Sequence, residues 1–106
     1  MPAVITQHGL DGQPKDITGV GEEPNAVYHE FGGRLAERGY VVFAPYLTVP
    51  KPQLSMVNPI VRKAAAVGML RTAVEVIKLR RIVDFLETRP EVDPQRIGYY
   101  GLSYGG

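Results

Sequence analysis

Three short apolar runs constrain the fold of this chain more than any other feature. They are AVIT at Ala3–Thr6, YVVFA at Tyr40–Ala44 and IGYY at Ile97–Tyr100. Each is too short for a helix and rich in β-branched or aromatic residues, and each runs into a turn signal, at His8-Gly9, Pro45 and Gly101, as strands do. The second is nearly continuous rather than alternating, the pattern of a strand covered on both faces. Long stretches of a different, helical period lie between them. Strand, helix, strand, helix, strand is the order of a parallel sheet with crossover helices, because parallel neighbours cannot be joined by a tight hairpin.

The connecting segments can be read in the same way. Leu10 to Pro24 carries Gly12, Pro14, Gly19 and Gly21 and reads as a long, turn-rich loop. Asn25 is placed to cap a helix in which Val27, Phe31 and Leu35, and Tyr28 with Leu35, recur at helical spacing, and which ends at Arg38-Gly39. The pair Gly32-Gly33 inside it either weakens the helix or marks close packing against a neighbour. After the second strand, Pro45, Pro50, Pro52 and Pro59 punctuate a loop. Helical pattern then runs from about Ile60 to Thr88 with a break near Gly68. In its second part Val76, Leu79, Ile82, Val83 and Leu86 form one apolar stripe. Arg89-Pro90 ends that helix, since the residue before proline avoids helical backbone, and Val92-Asp93-Pro94 is a turn. No internal repeat, low-complexity tract or domain boundary interrupts the chain.

Composition narrows the function classes. Apolar residues make up 44% of the 106, enough for a folded core. Twelve basic against eleven acidic side chains give a net charge of +1, which argues against nucleic acid or an anionic membrane as the main partner. The basic pairs Arg62-Lys63 and Arg80-Arg81 fall in helical sequence and read as solvated faces. With no cysteine, disulfides, zinc thiolates and a cysteine nucleophile are excluded for these residues. No segment approaches the ~20 apolar residues of a membrane span, and Met1–Ile5 lacks the basic start of a secretory leader. That leaves both a cytoplasmic and a secreted location open, and the oligomeric state unassigned.

The chemistry is concentrated at Gly101-Leu102-Ser103-Tyr104-Gly105, a G-x-S-x-G directly after the third strand. In such an elbow the chain turns sharply from strand to helix, with the serine in strained backbone and its oxygen projecting from the carboxyl edge of the sheet. Side chains at the two glycine positions, Gly101 and Gly105, would clash across the turn. Ser103 is therefore the candidate nucleophile. The amide of Tyr104 is one candidate donor to a developing oxyanion. His8-Gly9 ends the first strand and opens a second glycine-containing loop, whose Leu10 amide is the other candidate donor. His8 is expected to order that loop by hydrogen bonds rather than to titrate. His29, inside the expected first helix, reads as a solvated or packing residue, and Asp11 and Asp16 as turn formers.

Together, AVITQHGLDG, YVVFAPY, RRIVDFLETRPEVDPQRIG and YYGLSYGG resemble the α/β-hydrolase fold. The flavour is that of the acetyl xylan esterase and dienelactone hydrolase-like group of bacterial carboxylic ester hydrolases. The resemblance runs from Ala3 to Gly106; the elbow and the His-Gly loop are its specific parts. It implies a three-layer αβα sandwich with the Ala3–Thr6 strand between the other two. That order opens a crevice between the carboxyl ends of Ala3–Thr6 and Ile97–Tyr100. It also implies a serine esterase working through an acyl-enzyme on a small-molecule ester, acylated carbohydrates among them, with no metal or organic cofactor. Two rivals stand beside it. Gly-x-Ser-Tyr-Gly-Gly also resembles prolyl oligopeptidase-type peptidases, which carry a glycine-glycine-proline loop where this chain has His-Gly-Leu-Asp-Gly. A non-catalytic binding protein on the same fold is the other.

The family's acid and histidine follow the serine in chain order, and no residue of 1–106 matches them. The expectation is thus that residues 1–106 are a partial α/β-hydrolase domain ending just after the elbow, inactive alone and left with two unpaired sheet edges.

Overall fold

The computed structural model describes residues 1–21, 26–48 and 59–106. A three-stranded parallel sheet forms the middle layer, with β1 at Ala3–Gln7, β2 at Val41–Phe43 and β3 at Ile97–Gly101, in the order β2-β1-β3. Ala3 pairs with both Val41 and Ile97, and Ile5 with both Phe43 and Tyr99. The central strand is the most buried because it has a neighbour on either side and cover on both faces. Ala3, Ile5 and Thr6 are fully buried, whereas β2 is only half-buried and Tyr99 and Tyr100 of β3 are exposed.

Alternation along β1 sends successive side chains to opposite layers. Ala3 and Ile5 face α4, at Arg71–Glu87, and build the core with Ile82, Leu86 and Val92. Leu79, Val83, Val41, Phe43 and Ile97 pack around that cluster. The expected stripe on α4 therefore faces the sheet, except at its start. Val76 is 49% exposed, and the buried residue of that turn is Glu75. The predicted break is a left-handed Gly68, φ 76°, between α3 at Pro59–Ala66 and α4.

Thr6 faces the other layer, which holds α1 at Pro14–Thr18 and α2 at Phe31–Glu37. A Cβ on Gly32 would come 2.8 Å from the Ile17 carbonyl and 3.3 Å from Thr6 Oγ1; one on Gly33 would come 2.5 Å from the Thr18 carbonyl. The two glycines thus allow the backbones of α1 and α2 to touch, so of the two readings of the pair it is close packing that the structure favours. Phe31 adds an edge-to-face contact with Tyr100, ring centroids 4.9 Å apart.

The structure departs from the sequence reading in two places on this layer. Within the expected loop Leu10–Pro24, residues Pro14–Thr18 form α1. Pro14 opens it, the Gln13 N–H donates to Asp16 Oδ2 at 2.8 Å, and left-handed Gly19 closes it on the Lys15 carbonyl. Its Ile17 is wholly buried, so tertiary contact sustains a helix too short to stand alone. Asp16 is accordingly a cap rather than a loop turn-former.

The expected helix from Asn25 is the second departure. Asn25 lies outside the described residues, and Ala26–Glu30 form a turn, with helix beginning only at Phe31. His29 and Glu30 have φ of 49° and 48°, left-handed backbone that non-glycine residues rarely adopt. The stripe fails at Val27, which is 65% exposed, because Tyr28 turns inward instead.

Candidate active site

Three segments meet at the carboxyl ends of β1 and β3. The first is the elbow. Ser103 has φ 57°, the left-handed strain the motif predicts, and its side chain is exposed. The flanking glycines are steric necessities. A Cβ on Gly101 would overlap the Gly105 carbonyl, and one on Gly105 would come 2.5 Å from the His8 carbonyl and 2.7 Å from that of Gln7. A single 3₁₀ turn, Ser103–Gly105, follows, its Gly105 and Gly106 amides bonded to the Leu102 and Ser103 carbonyls at 2.9 and 3.0 Å. The Tyr104 amide lies in the first turn, which no helical carbonyl serves.

The second segment is the loop His8–Gly12. It is fastened to the elbow by Leu102 N–H to the Gln7 carbonyl at 3.2 Å. A Cβ on Gly9 would lie 3.3 Å from Ser103 Cβ and 3.2 Å from the Leu102 carbonyl, so the two loops are in near contact and a larger residue at position 9 would crowd the elbow. Gly12 N–H closes a turn on the Gly9 carbonyl at 3.1 Å. Gly9 N–H donates to the Tyr28 hydroxyl at 3.0 Å. With Gln13 N–H held by Asp16, the Leu10 amide is left without a hydrogen-bond partner among the described residues.

His8 is buried, and both ring nitrogens are occupied. The Leu47 amide donates to Nε2 at 3.2 Å. An amide can only donate, so Nε2 is the acceptor and the ring proton sits on Nδ1, 2.7 Å from the Gly9 carbonyl. His8 thus ties its own loop to the segment after β2. The expectation for His29 needs correction. It is exposed in the turn before α2 rather than within a helix. That turn lies at the carboxyl end of the sheet, since neighbouring Tyr28 reaches Gly9.

The third segment, Ala44–Thr48, leaves β2 for the site. The proline-punctuated loop after β2 lies mostly outside the described residues, but its start is held by hydrogen bonds. Gln7 Nε2 donates to the Pro45 carbonyl at 3.1 Å. Thr48 N–H donates to Glu75 Oε1 at 2.6 Å, and Lys78 Nζ bridges Glu75 Oε2 and the Tyr46 carbonyl at 2.5 and 2.6 Å. These bonds account for a carboxylate buried in α4: its charge is paired and each oxygen has a donor. Arg71, at the start of α4, donates from Nε to the Tyr104 hydroxyl at 2.8 Å, its guanidinium 4.5 Å from the ring centroid.

A cavity of about 170 Å³ adjoins the elbow, lined by Gln7, Leu47, Glu75, Tyr99, Tyr104 and Gly105. The Tyr99 hydroxyl donates to the Gly105 carbonyl. Burial, and then the nearby Glu75 charge, push the Tyr99 phenol above its ordinary value, so it remains a donor at neutral pH. A larger recess of about 590 Å³, between α1 and α2, is lined by Glu30, Arg34, Glu37 and Arg38 and holds none of the site residues. Among the described residues no cluster of histidine and acidic side chains could hold a metal ion.

Tyr28, Glu75, Lys78 and Arg71 were not singled out by the sequence reading. Tyr28 was placed on a helix stripe, and the other three carry no local pattern. Their partners lie far along the chain, and only the crossover topology brings them together.

A parallel sheet wound in both directions from its central strand, helices on both faces, and a glycine-flanked serine in left-handed backbone after β3 together define a fold of the α/β-hydrolase type. The model of the dienelactone hydrolase family matches residues 14–106, and the chain belongs to that family of hydrolases. No curated protein matches the chain. The matched segment contains the elbow and starts after the His8–Gly12 loop, so the loop's place in the site rests on the contacts described above.

Proposed function

We propose that this chain carries the nucleophile half of a serine esterase site, with Ser103 as nucleophile and the Leu10 and Tyr104 amides as oxyanion donors. One observation carries the reading: an exposed serine held at φ 57° beside a loop whose Leu10 amide has no partner among the described residues. Strain of this kind costs ~1–3 kcal/mol and persists where the surroundings enforce it, often at functional sites.

In the proposed reaction a base removes the Ser103 hydroxyl proton while Oγ bonds to the ester carbonyl carbon. The carbonyl oxygen takes the negative charge and is held by the two amides. The carbon–oxygen bond to the alcohol then breaks, the alcohol leaves with the proton from the base, and water repeats the sequence on the acyl-enzyme. His8 is unsuited to be that base, because using Nε2 would cost the Leu47 bond. The reading therefore takes base and acid from chain beyond Gly106, in the order Ser, acid, His that this fold uses. The substrate class is a small carboxylic ester, acylated carbohydrates included.

The test uses the intact protein. A fluorophosphonate probe should label it by losing fluoride to Ser103 Oγ, and Ser103→Ala should abolish labelling. A well-folded intact protein that stays unlabelled would sink the proposal. Faster turnover of an aminoacyl-p-nitroanilide than of p-nitrophenyl acetate would move the assignment from esterase to peptidase.

A further inference from the structure

Tyr28 presents a problem that packing alone does not solve. Its ring is buried, yet the chain reaches that position through a turn with two successive left-handed residues, His29 and Glu30, where the sequence favours helix. The phenol ends against the backbone of the His8–Gly12 loop. A Cβ on Gly12 would overlap it, and a Cβ on Gly9 would stand 3.2 Å from the hydroxyl. The hydroxyl accepts the Gly9 N–H at 3.0 Å, inside the protein. A phenylalanine ring would bury the same apolar surface and leave that amide without an acceptor.

The consequence falls on the neighbouring residue. Gly9 is the loop residue in near contact with Ser103. Its carbonyl is held by His8 Nδ1 and by the Gly12 amide, and its N–H by Tyr28. The Gly9 carbonyl shares a peptide with the Leu10 N–H, so its two bonds orient that amide directly, and the Tyr28 bond fixes the preceding peptide against which the Gly9 torsions set it. We infer that Tyr28 is a positioning residue for ester hydrolysis, its buried hydroxyl holding Gly9 so that the Leu10 amide is presented to the oxyanion. This inference rests on the Ser103 reading above and adds to it a residue the elbow motif does not contain.

Tyr28→Phe in the intact protein tests it. With p-nitrophenyl acetate, kcat should fall ~10–100-fold while KM stays within about threefold of wild type, because a donor needed in the transition state is misplaced. Measured below the melting temperature, the loss should persist at every temperature. A purely structural role would instead lower the melting temperature and leave kcat per folded molecule unchanged, and a folded Tyr28→Phe with kcat within about twofold of wild type overturns the inference. Should Tyr28→Phe not fold, 3-fluorotyrosine at position 28 keeps ring and hydroxyl but weakens the oxygen as an acceptor. A several-fold lower kcat with an unaltered melt supports the inference, and an unaltered kcat overturns it. A wild type that neither labels at Ser103 nor turns over ester removes the underlying reading and this inference together. An active, labelled wild type with an indifferent Tyr28→Phe removes the inference alone.

Discussion

The two loops facing each other across the site are built by opposite means. The elbow, Gly101–Gly105, is shaped by local sterics, two glycines that admit no Cβ and a serine in left-handed backbone, and Arg71 and Tyr99 bond to the two residues after the serine. The facing loop, His8–Gly12, is held by hydrogen bonds from residues distant in sequence, Tyr28 and Leu47, and by a buried histidine with both nitrogens occupied. One stores strain and exposes its serine; the other is braced through Gly9 and His8, and its Leu10 amide has no partner among the described residues. Steric devices are tied to residue type at fixed spacing, whereas bonding devices depend on where remote chain passes.

That contrast can be broken or sharpened experimentally in the intact protein. The largest expected effect is on activity. Ser103→Ala should reduce kcat by ~10⁶-fold, as removal of a triad serine does elsewhere, with a nearly unchanged urea midpoint. Gly105→Ala should destabilise by about 3 kcal/mol in urea unfolding, since the added methyl meets two backbone carbonyls, of His8 and Gln7, as well as Gln7 Cγ. His8→Ala should cost about 2 kcal/mol, by leaving the Leu47 N–H and the Gly9 carbonyl short of a partner. A value near zero would show that water replaces the imidazole and that the loop is less dependent on it than its bonding implies. Ser103→Gly should stabilise the protein by about 1 kcal/mol while abolishing activity, because glycine tolerates φ 57°. Loss of stability on that substitution would contradict the account of strain at the elbow.

The smallest effect concerns pH. The Tyr99 phenol is pushed up by burial and then by Glu75, so the folded state resists its ionisation more than the unfolded state does. Its contribution is fully present below the ordinary tyrosine value of about 10 and is lost as pH rises through the raised one. Tyr99→Phe should flatten the alkaline limb of the stability profile, followed by urea midpoint against pH.

The strands, the break at Gly68 and the elbow were legible because each is a local pattern: continuous apolar runs, a glycine needing positive φ, glycines two residues either side of a serine. Helix α1 was legible in principle from Pro14, Asp16 and Gly19, but its shortness hid it among turn-forming residues. Tyr28 could not be placed. Val27, Tyr28, Phe31 and Leu35 satisfy a helical period, and nothing in the sequence tells that the Gly9 amide needs an acceptor. Glu75 sits among apolar stripe residues, and its burial follows only from the Thr48 amide and Lys78 arriving beside it.

Taken alone, the sequence determined the alternation of strands and helices, hence a parallel sheet, and the strained serine after the third strand. These depend on side-chain period and on which residues tolerate positive φ, both properties of short segments. Only the tertiary structure decided that the inner face of Tyr28 replaces a helical turn, that His8 joins two loops, and that Arg71, Glu75 and Lys78 line the way from elbow to β2. Each of these is a polar group finding its partner across the sheet. The free energy of such a bond depends on burial and position that no local pattern encodes.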